Sequence, residues 1–343
     1  MKYSSLLLAI FAYVFCSSAH GQTYTLTDLG ATLASNSNVT INNSGHIALT
    51  TTVNGHAQPA IWFGGVLQPI TGFGSDGHAA DINDSNMVVG SFTDGSGGFD
   101  AFLYDGTTHN LGTLGGFASE ARAINASGEI VGFSYAASTE QHAFYYSGGV
   151  MNDGGTLGGM ASFARALNNN GLVVGNSLTS NNDSAGFSLQ TPNGSMVNLG
   201  LGADAYSVNL NGQIVGVSNG VAFLYQGGVL TSLGTLPGGS TSKAESINSS
   251  GDIVGISGSS NGNHAFVEKN GTMLDLNGRT PSFNGLIMDA MDINDSGQIV
   301  ASGFTSKGQS TVFLLTPVVP EPTSAALIGG CGLLILLMRR RPG

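Results

Sequence analysis

Apolar residues recur along the chain as short Ile-Val, Val-Val and Ala-Phe clusters at regular intervals. Gly, Asn, Ser and Thr, all weak helix formers, fill the spaces between them. That pattern predicts many short strands joined by tight turns, not helices. One element repeats seven times: an apolar residue and Asn, two residues, Gly in most copies, one residue, then a β-branched pair. The copies sit at Ile41-Asn42, Ile82-Asn83, Ile124-Asn125, Leu167-Asn168, Val208-Asn209, Ile247-Asn248 and Ile293-Asn294, with Asn spacings of 41, 42, 43, 41, 39 and 46. Asn opens a turn by capping its own backbone, and Gly takes the left-handed position that ends it. Asn86 replaces that Gly in the second copy and tolerates the same conformation. The seven Asn residues therefore read as turn formers rather than ligands.

A second hairpin follows in most repeats, as at Ala101-Phe102-Leu103-Tyr104 and Ala143-Phe144-Tyr145-Tyr146. After a Gly-Gly turn comes a short strand ending in Leu-Gly. Each repeat thus holds four strands: a before Asn, b at Ile-Val-Gly, c at Ala-Phe and d at Leu-Gly. Four strands in about 42 residues is the size of one propeller blade. The chain starts with a lone d-type strand at residues 24–30 and ends on a c-type strand at residues 312–315. Pairing the two would remove the edges that a linear stack leaves open. The expected fold is all-β, a seven-bladed β-propeller of four-stranded repeats closed by the N-terminal strand, with a linear β-solenoid as the alternative.

Charge narrows the choice of partners. The chain has 10 Lys and Arg against 21 Asp and Glu. Without Lys2, Glu321, Arg339, Arg340 and Arg341, the body holds 6 basic and 20 acidic residues, a formal charge of −14. Such a body repels phosphate backbones, so no nucleic-acid partner is expected; cations or neutral glycans suit it better. Both cysteines, Cys16 and Cys331, lie in the terminal apolar segments, so the body has no disulfide framework, zinc cluster or thiol nucleophile.

The ends read as addresses. Residues 1–21 have the order of a signal peptide: Lys2, an apolar stretch at 6–15, then small residues. Cleavage is expected after Gly21, with Ala19 as the alternative. A lipoprotein signal at Cys16 would need a small residue where Phe15 stands. At the other end, Val319, Pro320, Glu321 and Pro322 precede an apolar run at 323–338, then Arg339, Arg340 and Arg341. A 16-residue helix spans roughly 24 Å, short of a ~30 Å hydrocarbon core. The triple Arg should stay cytoplasmic. This tail, about 25 residues, resembles the PEP-CTERM sorting signal. The resemblance implies transient membrane insertion, an exosortase-type enzyme as partner, removal of the tail, and delivery to the cell surface or matrix. A plain C-terminal anchor is the alternative. The domain plan is then 1–21 leader, 22–318 repeat body and 319–343 sorting tail.

The Ala-Phe elements, preceded by His142 and His264 in two copies, resemble the HAF repeats of extracellular bacterial proteins. Asp100, Val221 and Gly186 occupy that context elsewhere, so a repeated His metal site is not expected, and a surface His is. The Gly-rich run at 112–116 lacks the Gly-Lys-Ser/Thr ending and helix of a phosphate loop and reads as a turn. Asp94, Asp100 and Asp105 match no calcium-loop spacing. No catalytic constellation, metal site or cofactor motif emerges. The candidate ligand face is the channel mouth toward which the d-to-a connections bring Glu120, Arg122, Arg165, Tyr206 and Glu245. The expectation is an exported, non-catalytic repeat protein, not an enzyme, that binds glycan or surface proteins in an exopolysaccharide layer. The alternative is a propeller-type glycoside hydrolase or lyase acting on extracellular polysaccharide. That alternative requires carboxylates clustered with His, Tyr or Arg on one face.

Overall fold

The computed structural model describes residues 22–318, apart from 32, 35, 36, 73–75, 96 and 138. The leader at 1–21 and the sorting tail at 319–343 lie outside the described residues. The chain is all-β, with 28 strands and one short 3-10 turn, Leu276–Arg279, among the described residues. Among them no helix is long and apolar enough to cross a membrane.

Strands a to d pair in order, antiparallel throughout each repeat. Among the described residues, five sheets have four strands and one has eight. The larger one consists of two four-stranded halves that meet at a single parallel pair, Gln141 with Ala161. The last sheet takes its fourth strand from the other end of the sequence. Tyr24–Asp28 lies antiparallel to Ser310–Pro317, with Leu26 opposite Leu315 and Asp28 opposite Phe313. Thr311 Oγ1 donates to Asp28 at 2.6 Å, which pins the register.

The core lies between sheets. The Phe of strand c is almost wholly buried in Phe102, Phe144, Phe187, Phe223, Phe266 and Phe313. Phe144, for example, packs on Val89 and Ala101 of the preceding sheet. Each such ring contributes on the order of 1.5–3 kcal/mol by leaving water. Val39, Ile41 and Trp62 of the first repeat pack on Val300, Val312 and Leu314 of the last.

The Asn turns have the geometry their spacing requires. Asn125 Oδ1 accepts from the Ser127 and Glu129 amides at 3.0 and 2.9 Å. Gly128 ends the turn at φ +80°, and Asn86 does the same at +61°. The Asn amides have a second task that the repeat pattern did not reveal. Each of six donates from Nδ2 to the backbone carbonyl of the corresponding Asn in the next repeat: Asn42 to Asn83, Asn83 to Asn125, Asn168 to Asn209, Asn209 to Asn248, Asn248 to Asn294, and Asn294 to Asn42. The last of these joins residues 252 apart in sequence. Asn125 departs, and its amide goes to Glu129 Oε2 at 2.7 Å.

The histidines of the Ala-Phe elements are not free surface groups. His142 Nδ1 lies 2.9 Å from Asp153, and His264 Nδ1 lies 2.7 Å from Asp275, so each ties strand c to the end of strand d.

Candidate functional site

The a strands of all seven repeats line one cavity of about 510 Å³. Its wall runs from mid-strand residues such as Arg165 and Asp289 to the Asn turns. The sequence reading put the ligand face at the entrance of strand a; the lining reaches the opposite end, at the a-to-b turns. The candidate residues also stand within strands, not in connections: Arg122 in Gly115–Ile124, Arg165 in Gly158–Leu167, Tyr206 in Ala203–Val208 and Glu245 in Ser242–Ile247.

A β-bulge aims these four side chains. Pairing between strands a and b skips one residue in each repeat concerned, between Ala121 and Ala123, Ala164 and Ala166, Ala205 and Ser207, and Ala244 and Ser246. The skipped residues are Arg122, Arg165, Tyr206 and Glu245. A bulge bends its strand and re-aims a side chain. The Ile-Val-Gly glycine makes room for it. A Cβ on Gly132, Gly175, Gly216 or Gly255 would overlap the carbonyl oxygen of Glu120, Phe163, Asp204 or Lys243 respectively. A lone Gly inside a strand pattern is the signal that could have marked such a bulge. Glu120 is the exception among the five candidates: it is not on the cavity wall, and its carboxylate lies 3.0 Å from Arg122 Nε.

Two functional groups had been missed. Lys243 and Asp289 stand two residues before the bulge position of their repeats and also line the cavity. Counting back five from each repeated Asn would have found them. Lys243 forms an ion pair with Glu245. The Arg165 guanidinium lies 4.7 Å from the centre of the Tyr206 ring, and Lys243 Nζ lies 5.3 Å from it. Asp289 Oδ1 is buried without a hydrogen-bond partner among the described residues.

Burial raises the pKa of both carboxyls. Burial, and then the charge of Glu245, raise the Asp289 pKa to about 7 against the pull of Lys243. Burial also raises Glu245, but Lys243 and Arg165 beside it favour its anion. Burial disfavours the Lys243 ammonium, yet Glu245 and Asp289 outweigh that and raise its pKa. The cluster therefore brings together a buried carboxyl without a hydrogen-bond partner, whose pKa is raised to about 7, and a carboxyl paired with a cation. That is the arrangement needed for general acid and base work.

Two further carboxyls, Asp81 and Asp292, also line the cavity, the latter on the same strand as Asp289. Asp81 accepts from its neighbour Ile82 N and from Ile124 N of the next repeat at 2.8 and 2.9 Å. Asp292 accepts from Ile41 N at 2.8 Å and Ser246 Oγ at 2.6 Å. Burial, foremost, pushes Asp81 up to about 7 and Asp292 up to about 6. Both bridge neighbouring sheets.

No family model matches the chain, and no curated protein does. Solved structures do. A puromycin-hydrolysing peptidase from Mycobacterium tuberculosis is similar at a TM-score of 0.56 and 11% identity, over 84% of this chain and 53% of that one. The acylaminoacyl peptidase of Pyrococcus horikoshii is similar at 0.51 and 9%, over 88% and 53%. A prolyl endopeptidase is similar at 0.50 and 12%, over 82% and 46%. The chain spans about half the length of these solved chains, and at such identity the likeness is one of fold. It nevertheless corrects the expectation of a non-catalytic repeat protein. The architecture is one that enzymes carry. The cavity also holds the carboxylates with Tyr and Arg that the enzyme alternative required.

Proposed function

We propose that the chain is an exported enzyme, a propeller-type glycoside hydrolase or lyase acting on extracellular polysaccharide. The observation that carries this is the Glu245–Lys243–Asp289 cluster on the cavity wall, flanked by Tyr206 and Arg165. As a hydrolase, Asp289 gives its proton to the glycosidic oxygen as the C–O bond breaks. Glu245 activates the water, or attacks the sugar carbon itself before water releases the product. Hydrogen-bonding side chains around the cavity, Asn38 and Tyr206 among them, suit sugar hydroxyls.

The same proposal takes the sheets as seven blades of a closed ring. Its support is the placement of Tyr24–Asp28 in the last sheet, the seven a strands around one cavity, and the contact of Asn294 with Asn42. A linear solenoid offers no reason for the two ends to meet. Export, removal of the tail by an exosortase-type partner, and a surface or matrix location are proposed from residues 1–21 and from the PEP-CTERM-like tail alone.

The test is incubation of the full chain with the exopolysaccharide of the producing cell. Release of reducing ends or unsaturated fragments is expected, with losses of roughly 100-fold or more in Asp289→Asn and in Glu245→Gln. Depletion of the polymer without fragments would refute the enzyme.

A further inference from the structure

The Glu245–Asp289 cluster accounts for the acid–base half of the cavity. It leaves two guanidiniums unexplained. Arg122 and Arg165 are the bulge residues of adjacent repeats, and both line the cavity. They are close enough for the charge of Arg122 to work with burial in lowering the Arg165 pKa. Two like charges on one half-buried wall repel each other, and the fold holds them there by their aromatic and polar footing. The Arg122 guanidinium lies over the Phe133 ring at 5.3 Å, and Arg165 over Tyr206 at 4.7 Å. Arg165 Nε donates to Asn176 Oδ1 at 3.1 Å. Arg122 Nε faces Glu120 at 3.0 Å but is not aligned for a hydrogen bond. Every one of these contacts engages a ring face or an Nε. Among the described residues, no carboxylate or carbonyl takes the terminal nitrogens of either guanidinium. A planar fork with its outer nitrogens free is the group that recognises a carboxylate through paired hydrogen bonds.

We propose that Arg122 and Arg165 form an anion subsite that takes the carboxylate of an acidic sugar unit, so that the polysaccharide substrate is a uronate-containing one. This rests on the cavity being the substrate site and names the substrate class within it. The wider body is acidic, with a formal charge of −14, and disfavours a polyanion at long range. That repulsion is screened beyond about 8–10 Å in physiological salt, whereas contacts inside the cavity are not. The subsite therefore selects by contact rather than by long-range steering.

The experiment measures binding of a galacturonate tetramer and of the neutral galactose tetramer to the full chain, by calorimetry, at two salt concentrations. The acidic oligomer should bind at least 10-fold more tightly and lose affinity as salt rises. Arg122→Gln and Arg165→Gln should each weaken it by roughly 10- to 100-fold, the range of a charge-assisted hydrogen bond left unmade. Neither substitution should change binding of the neutral oligomer to the same degree. Arg165→Lys, which keeps the charge and loses the fork, should fall between. If the Arg variants do not fold, the comparison of the two oligomers on the unaltered protein still decides. Equal binding of both oligomers, or cleavage of a neutral polymer with no binding of the acidic one, overturns the subsite and leaves the enzyme proposal standing. Selective binding of the acidic oligomer with no cleavage of any polymer keeps the subsite and removes the enzyme.

Discussion

Replacing Asn294 by Ala probes whether the two ends of the sequence depend on each other. Its side chain is buried. Oδ1 accepts from Gln298 N at 2.9 Å within the turn, and Nδ2 donates to Asn42 O at 3.0 Å across to the first repeat. Asn125 is the internal control. It makes the turn bonds, but its amide stays within its own turn, on Glu129. A buried hydrogen bond contributes about 1 kcal/mol net. Asn125→Ala loses three bonds within its own turn, whereas Asn294→Ala loses three within its turn and the inter-repeat bond as well, so Asn294→Ala should cost about 1 kcal/mol more. For a body of this length that difference lowers the melting temperature by roughly a further 2 °C. The assay is urea unfolding followed by tryptophan fluorescence. The chain has a single Trp, Trp62, and it packs in the cluster that joins the first repeat to the last, against Val300, Val312 and Leu314. The probe thus sits at the junction under test. If Asn294→Ala is no more damaging than Asn125→Ala, the bond between the ends contributes nothing and the case for a ring weakens.

Three further outcomes are expected. Stability should fall as pH rises from about 4 to about 8: the Asp81 carboxyl binds its proton more tightly folded, at about 7, than unfolded, so its contribution is whole below the ordinary carboxylate pKa and lost above 7. Melting curves of Asp81→Asn should show a shallower fall, and an unchanged slope would count against burial as the cause. Gly132→Ala should destabilise by about 1–3 kcal/mol, because its Cβ meets the Glu120 carbonyl at the bulge; a thermal melt equal to that of the parent would mean the strands separate freely there. Intact-mass measurement of surface or secreted material should find the leader gone and a C-terminus near Pro320, Glu321 or Pro322. Recovery of mature protein still carrying Arg339, Arg340 and Arg341 would argue against tail removal.

Sequence periodicity by itself determined the strand plan. The apolar-Asn turn, the Ile-Val-Gly strand and the Ala-Phe strand are local devices: a turn needs its own Asn and Gly, and a buried strand needs its own β-branched pair. Arg122, Arg165, Tyr206 and Glu245 could be picked out as charged and aromatic residues near the start of strand a, although they were read as parts of the d-to-a connections and together with Glu120. Only the tertiary structure decided what those residues do. The bulge that aims them depends on how two strands pair, and the pairing of Gly132 with Ala121 is not contained in either strand. The inter-repeat bonds of Asn42 or Asn294 need a neighbour about 40 to 250 residues away. The protonation of Asp289 depends on burial and on Glu245, which comes from a different sheet. A carboxyl's pKa is set by the water it loses and the charges it gains, and both are properties of the assembled cavity rather than of the chain that supplies the residue.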